Sequence, residues 1–110
     1  MGKQGKAHTA TVNRLAKRFS ANKHVDDPDT PDLLAEHLAI EVETAATLVE
    51  GVDRLQRVSD GRAYVAVTNR EALLEGRRAV HNTGVGLMDP NGEIIIPCGK
   101  DRDGNSEEGA

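Results

Sequence analysis

Short apolar runs alternate with segments of helical periodicity in the second half of the chain, and this alternation restricts the fold more than any other feature. Residues 45–58 and 70–81 carry apolar side chains at helical spacing, whereas residues 63–68 and 85–88 are short apolar runs. Such runs are typical of strands that are buried on both faces. Strands that alternate with helices favour parallel neighbours joined by right-handed crossovers. The sequence therefore predicts an α/β domain.

The first half of the chain predicts one helix and one hairpin. Residues 9–21 have an apolar stripe at helical spacing, formed by Val12, Leu15, Ala16 and Phe19. Residues 24–32 contain two prolines and four aspartates, which predict a loop with a short strand near residues 23–26. Residues 32–44 are predicted to form a hairpin, because apolar residues alternate with Ala39, Glu41 and Glu43 at the period of a half-buried strand.

These elements predict one domain with the order α-β-β-β-α-β-α-β, in which the hairpin makes the sheet mixed. Residues 93–97 are expected to add a final edge strand to this order, after a tight turn. A chain of 110 residues is long enough for one domain, which we place at residues 9–98. Residues 1–8 are expected to be a disordered basic start, and residues 99–110 a disordered tail.

The charges are segregated along the chain, and this favours an anionic partner. Residues 1–25 hold six of the 14 Lys and Arg residues and none of the 18 Asp and Glu residues. The alternative is an ordinary solvated helix face. The sequence has no bilayer-length apolar run and no secretory signal, and its one cysteine excludes an internal disulfide, so we expect a cytoplasmic protein. Because the aromatic residues are only Phe19 and Tyr64, base stacking on aromatic platforms is not expected.

The predicted hairpin brings three carboxylates together. With Glu36 and His37 at its tip, Asp32 lies opposite Glu41, and Glu43 follows on the same face. Like charges directly opposed across a hairpin are destabilising, and a divalent cation would relieve their repulsion. A solvated acidic face is the alternative.

The same acids carry a resemblance to a known family. Pro31-Asp32, followed after eight residues by Glu41-Val42-Glu43, resembles the signature of the PD-(D/E)XK nuclease superfamily, which includes restriction endonucleases and archaeal Holliday-junction resolvases. That family has a helix, a three-stranded meander bearing the acids, a helix and a strand, the order predicted here over residues 10–68. The resemblance implies a restriction-endonuclease-like fold, a mixed β-sheet flanked by helices, and the small size is similar to that of the resolvases.

The resemblance implies a role for each acid. Asp32 and Glu41 would ligate Mg²⁺ or Mn²⁺, together with the backbone carbonyl of Val42. Glu43 stands where the family usually has Lys, and this is a departure from the pattern. It is expected to act as a general base or to ligate a second metal ion. Alternatively, it marks an inactive member that binds nucleic acid or assembles with a partner.

The implied activity is metal-dependent DNA endonuclease activity on phosphodiester bonds, structure-specific in the manner of a junction resolvase and performed by a homodimer. Four basic residues are expected to contact the DNA phosphates, namely Arg14, Lys17, Arg18 and Lys23. Three residues of the second helix are candidate auxiliary groups, namely Arg54, Arg57 and Gln56, with a solvated helix face as the alternative. A third possibility is a small interaction domain without a nucleic-acid partner.

Overall fold

A mixed, open sheet of six strands forms the centre of the computed structural model, which describes residues 5–27, 29–59 and 61–102. The strands lie side by side in chain order. They are β1 (Asn22–Lys23), β2 (Leu33–Ala35), β3 (Leu38–Glu43), β4 (Arg62–Val67), β5 (Gly86–Met88) and β6 (Ile94–Ile96). The predicted α/β class and the mixed sheet are therefore confirmed.

Strand direction changes along the sheet. Strands β1, β2 and β3 form an antiparallel meander, β3, β4 and β5 are parallel, and β6 returns antiparallel. Helix α2 (Leu48–Val58) connects β3 to β4, and α3 (Leu73–Val80) connects β4 to β5. A 3₁₀ turn precedes each of these two helices. Because β3, β4 and β5 are parallel, their carboxyl ends lie at one edge of the sheet.

The register of the predicted hairpin is confirmed. Leu33 pairs with Ile40, and Ala35 pairs with Leu38, so that Glu36 and His37 form the turn. His37 has a φ of 59°, a left-handed conformation that non-glycine residues rarely adopt. The apolar pattern of the two strands therefore determines the register, although the turn residues are not those that favour a tight hairpin.

Helices cover both faces of the sheet. Val12 and Leu15 of α1 (Lys6–Phe19) belong to one apolar cluster with Ile40, whereas Leu55 of α2 belongs to a second cluster with Val65. The expectation that residues 38–43 form a half-buried strand is wrong, because every residue of β3 is buried. The crossover through α2 covers the second face, and the alternation of apolar and acidic residues could not predict that cover. Within the three described ranges, no helix has the length and hydrophobicity needed to cross a membrane.

Both ends of the described chain differ from expectation. Helix α1 begins at Lys6 rather than at residue 9, and residues 1–4 of the expected disordered start lie outside the described residues. Residues 99–102 form a helical turn, in which Asp101 accepts hydrogen bonds from Arg62 and from the Tyr64 hydroxyl. Residues 103–110 of the expected disordered tail are outside the described residues. The part of the tail that is described is thus attached to β4.

Candidate metal centre

Three carboxylates lie together near the carboxyl end of β3, at the edge of the sheet where the parallel strands end. Glu41 and Glu43 are two residues apart on β3 and therefore lie on the same face of the strand, and Asp32 immediately precedes β2. One carboxylate oxygen from each residue lies within 4.8 Å of the other two. The exposed fractions are 3% for Asp32, 0% for Glu41 and 1% for Glu43. The sequence predicted this grouping, but the alternative of a solvated acidic face does not hold, since all three residues are buried.

Backbone hydrogen bonds orient Asp32 and Glu41. The Asp32 N–H donates to Glu41 Oε1 at 2.9 Å, and the Val42 N–H donates to Asp32 Oδ2 at 2.9 Å. The Glu43 carbonyl accepts from the Thr68 N–H, on the β4 side of the strand. Successive residues of a strand point to opposite sides, and the N–H and C=O of one residue point to the same side. The Val42 carbonyl therefore faces Asp32, as a metal ligand would.

Arg54 brings a positive charge to this cluster. From α2, its Nη1 donates to Glu41 Oε2, and its side chain is 21% exposed. Burial opposes the charged form of Arg54. The hydrogen bond and charge of Glu41 outweigh burial, with smaller effects from Glu43 and Asp32, and the pKa of Arg54 is raised. Arg54 therefore stays protonated and offsets part of the negative charge of the carboxylates.

The other two auxiliary candidates of α2 contact different groups. Arg57 Nε lies 3.4 Å from Asp53 Oδ2 in an exposed pair one turn apart. Gln56 Nε2 donates to the Thr83 carbonyl at 3.1 Å. Of these three candidates, Arg54 is the one that the structure brings to the acids.

Gly51 of α2 has no side chain, and this leaves space for the side chain of Glu43. A Cβ built on Gly51 would lie 2.6 Å from both Cγ and Oε2 of Glu43 and 2.7 Å from its Cδ. Carbon atoms in contact normally remain about 3.5–4.0 Å apart. The Glu43 side chain therefore occupies volume that any larger residue at position 51 would fill. The sequence analysis did not identify Gly51; its position three residues before Arg54, on the same side of α2, was the available signal.

His8 is a further neighbour that sequence reasoning missed. Its side chain is buried, and its Nε2 lies 3.4 Å from Asp32 Oδ2. His8 also lines a cleft of about 690 Å³ together with Lys23 and His24. The signal was its spacing, four residues before Val12 and seven before Leu15, which continues the buried stripe of α1.

Two of the residues that are predicted to contact DNA, Arg14 and Arg18, bind the turn between β5 and β6. Arg14 Nη1 donates to the Pro90 carbonyl at 2.9 Å, and Arg18 Nη1 donates to the Asn91 carbonyl at 2.6 Å. Arg18 also pairs with Glu93 at 3.1 Å. This turn follows the carboxyl end of β5, so the basic face of α1 lies at the same sheet edge as the carboxylates.

The two lysines are arranged differently. Lys17 is exposed on α1. Lys23 Nζ donates to Asn13 Oδ1 at 3.0 Å, which connects β1 to α1. Both lysines keep donor capacity for a further anion, because an ammonium group has three N–H donors.

The donor set fits a hard divalent cation. Mg²⁺ takes oxygen ligands at about 2.0–2.1 Å, so two ligands on opposite sides of the ion lie roughly 4.2 Å apart. Ligands on adjacent sides of the ion lie closer, roughly 3 Å apart, and three carboxylate oxygens within 4.8 Å of one another are close enough to converge on one ion. Asp32, Glu41 and Glu43 can therefore supply carboxylate ligands to one ion, and the Val42 carbonyl is oriented to add another.

The chain was also compared with other proteins. Protein-family models, curated proteins and solved structures give no match to it. The function is therefore inferred from the residues of this chain and their geometry.

Proposed function

We propose that this protein is a metal-dependent DNA endonuclease that hydrolyses phosphodiester bonds, with Mg²⁺ or Mn²⁺ as its cofactor. The observation that carries the proposal is the group of three buried carboxylates, whose oxygens lie within 4.8 Å of one another. Arg54 offsets part of the negative charge, but three neighbouring carboxylates still repel one another in the interior, where charges are poorly solvated. A function that uses a cation accounts for their being gathered there.

Each carboxylate has a proposed role. Asp32 and Glu41 would hold the cation together with the carbonyl of Val42, and the hydrogen bonds from Asp32 N–H and Val42 N–H fix these two acids. When bound, the cation lowers the pKa of a water molecule and offsets charge on the phosphate oxygens. Glu43 would accept the proton of the attacking water. The carboxylates alone would repel a phosphodiester, so activity should depend on the cation.

The topology and the basic helix support DNA as the substrate. A helix, an antiparallel meander bearing the acids, a second helix and a parallel strand follow one another, as the resemblance to PD-(D/E)XK nucleases implies. The basic face of α1 lies at the same sheet edge as the acids. Contacts from Arg and Lys to phosphates do not read base sequence, which favours a structure-specific enzyme of the junction-resolving kind. Two coordinated cuts in one junction would be made by the two active sites of a homodimer.

The second candidate function is nucleic-acid binding, or assembly with a partner, without cleavage. The observation that favours it is the ion pair between Arg54 and Glu41, which already places a cation at the acids. Glu43 at the usual lysine position is consistent with the same interpretation.

A cleavage assay with matched variants separates the two functions. Four-way junctions, nicked duplexes and linear duplexes are incubated with and without Mg²⁺ or Mn²⁺. The wild type should cut only with metal, and Glu43→Gln should lose about 10²–10⁴ in rate while still binding DNA. Glu36→Gln is the control, because the Glu36 side chain is 90% exposed at the hairpin turn. Thermal melts with Mn²⁺ provide a second measurement, since a ligand at 100 times its Kd stabilises the native state by about 2.7 kcal/mol.

The outcomes distinguish three cases. Cleavage by the wild type and by Glu36→Gln but not by Glu43→Gln supports the endonuclease. Glu43→Lys introduces the lysine that the family usually has at this position; cleavage by this variant alone, together with DNA binding by the wild type, would identify the wild type as an inactive member that binds DNA. An equal shift of the melting temperature by Mn²⁺ in the wild type and in Asp32→Asn/Glu41→Gln would contradict both the proposed metal site and the proposed nuclease activity.

A further inference from the structure

Arg54 contacts one of the two carboxylate oxygens of Glu41 that a metal ion could use. Glu41 Oε1 already accepts the Asp32 N–H at 2.9 Å, and Glu41 Oε2 accepts Nη1 of Arg54. A metal ion that takes Oε2 as its ligand must therefore share that atom with a guanidinium. Two cations at one oxygen repel each other, and the repulsion is strong because Glu41 is fully buried.

The partners differ in how easily they can move. Asp32, Glu41 and Glu43 are at most 3% exposed. The side chain of Arg54 is 21% exposed and projects from α2. Its neighbours on the same helix, Asp53 and Arg57, are exposed. Since long arginine side chains readily place their charged group in water, Arg54 is the member that can leave.

We propose that Arg54 is a displaceable internal counter-ion: it holds the carboxylates together in the metal-free protein and moves into solvent when a divalent cation binds Glu41. This inference rests on the proposed function, because it takes the acids as metal ligands. It accounts for how three buried carboxylates remain in place before metal arrives. It also implies that metal binding and the Arg54–Glu41 ion pair exclude each other.

Calorimetric titration with Mn²⁺ alone, on the full chain, tests the exclusion. Arg54→Gln removes the competing charge and should bind Mn²⁺ about fivefold or more tightly than the wild type, the usual lower range for coupling between two ligands. Its melting temperature without metal should fall, and saturating Mn²⁺ should restore it. Arg57→Gln is the matched control on the same helix, since its partner is the exposed Asp53, and both quantities should remain as in the wild type.

The results separate this inference from the proposed function. Equal or weaker Mn²⁺ binding by Arg54→Gln, with binding retained, overturns the counter-ion and leaves the metal site intact. Binding by Arg54→Gln but not by the wild type supports the counter-ion and contradicts a working metalloenzyme. If neither protein binds Mn²⁺, both proposals are wrong.

A second measurement on the wild type does not depend on whether the variant folds. The guanidinium resonances of Arg54 are followed by NMR during titration with Mg²⁺, which is diamagnetic. They should move towards the positions of solvent-exposed arginines, with saturation at the same Mg²⁺ concentration as the backbone resonances of Glu41. Arg54 resonances that stay unchanged while those of Glu41 shift would overturn the displacement.

Discussion

Replacement of Gly51 by alanine has two opposing effects on stability, a gain in helix propensity and a loss from packing against Glu43. In a helix interior alanine is favoured over glycine by about 1 kcal/mol. The new Cβ, however, would lie 2.6 Å from Cγ and from Oε2 of Glu43, which is 1% exposed and enclosed. Forcing extra volume into a packed interior typically costs about 1–3 kcal/mol. We expect Gly51→Ala to lower the free energy of unfolding by about 1 kcal/mol, because the packing cost exceeds the gain in propensity.

The sign of this effect should reverse when Glu43 is shortened. In a Glu43→Ala background the Cβ at position 51 meets no Glu43 side chain, and Gly51→Ala should then raise the free energy of unfolding by about 1 kcal/mol. The coupling between the two sites is therefore about 2 kcal/mol, within the range for residues in direct contact. Urea unfolding of the four proteins, followed by far-ultraviolet circular dichroism, measures it.

Gly76→Ala is the control for this cycle. A Cβ at Gly76 in α3 would lie 2.6 Å from Leu87 Cδ1, a clash of the same size that does not involve Glu43. Its effect on stability should be the same with Glu43 present or absent. If Gly51→Ala also has the same effect in both backgrounds, the contact between Glu43 and α2 is refuted.

Two further predictions concern α1 and the C-terminal turn. Lys17→Ala should reduce the slope of log DNA affinity against log salt by about 0.9 without changing the melting temperature. Arg18→Ala should reduce the slope and also lower the melting temperature, because Arg18 binds the β5–β6 turn. Equal melting temperatures for the two variants would contradict this prediction. Burial raises the pKa of Asp101, but hydrogen bonds from Tyr64 and Arg62 outweigh it and lower that pKa below its usual value. The stabilisation from Asp101 is therefore present above about pH 4 and is lost as the pH falls through the pKa of Asp101 in the folded protein. Asp101→Asn should make the melting temperature less dependent on pH between about pH 5 and pH 2. An unchanged pH dependence would show that the contact contributes nothing to stability.

The hairpin and its acids were predictable because they depend on local periodicity. A period of two places Leu38, Ile40 and Val42 on one face, and a shift of one residue would move all three to the opposite face. The same periodicity says nothing about what covers the opposite face. The burial of Glu41 and Glu43 depends on the path of α2, which is a tertiary property. The sequence therefore predicted which acids meet, but not that they meet in the interior.

The start of α1 was predicted too late for an equally physical reason. The sequence offers Thr9 or Thr11 as a cap for this helix, because a threonine hydroxyl often satisfies the first free N–H groups. Thr11 instead lies within α1, where its Oγ1 donates to the Ala7 carbonyl at 2.8 Å. Bonding back to the preceding turn is the alternative use of such a hydroxyl in a helix. The late start left His8 outside the predicted helix and concealed its position beside Asp32.

Tyr64 makes the attachment of the C-terminal turn directly observable. It is the single tyrosine of a chain without tryptophan, and its hydroxyl donates to Asp101 while accepting the Cys98 N–H at 3.1 Å. Burial and the hydrogen bond to Asp101 raise the pKa of Tyr64, so its ionisation in alkali is delayed while residues 98–102 remain attached. Tyrosine fluorescence and near-ultraviolet absorbance thus report one contact rather than an average over the protein. A tyrosine transition that precedes the loss of helical signal would reveal a separately unfolding C-terminal segment.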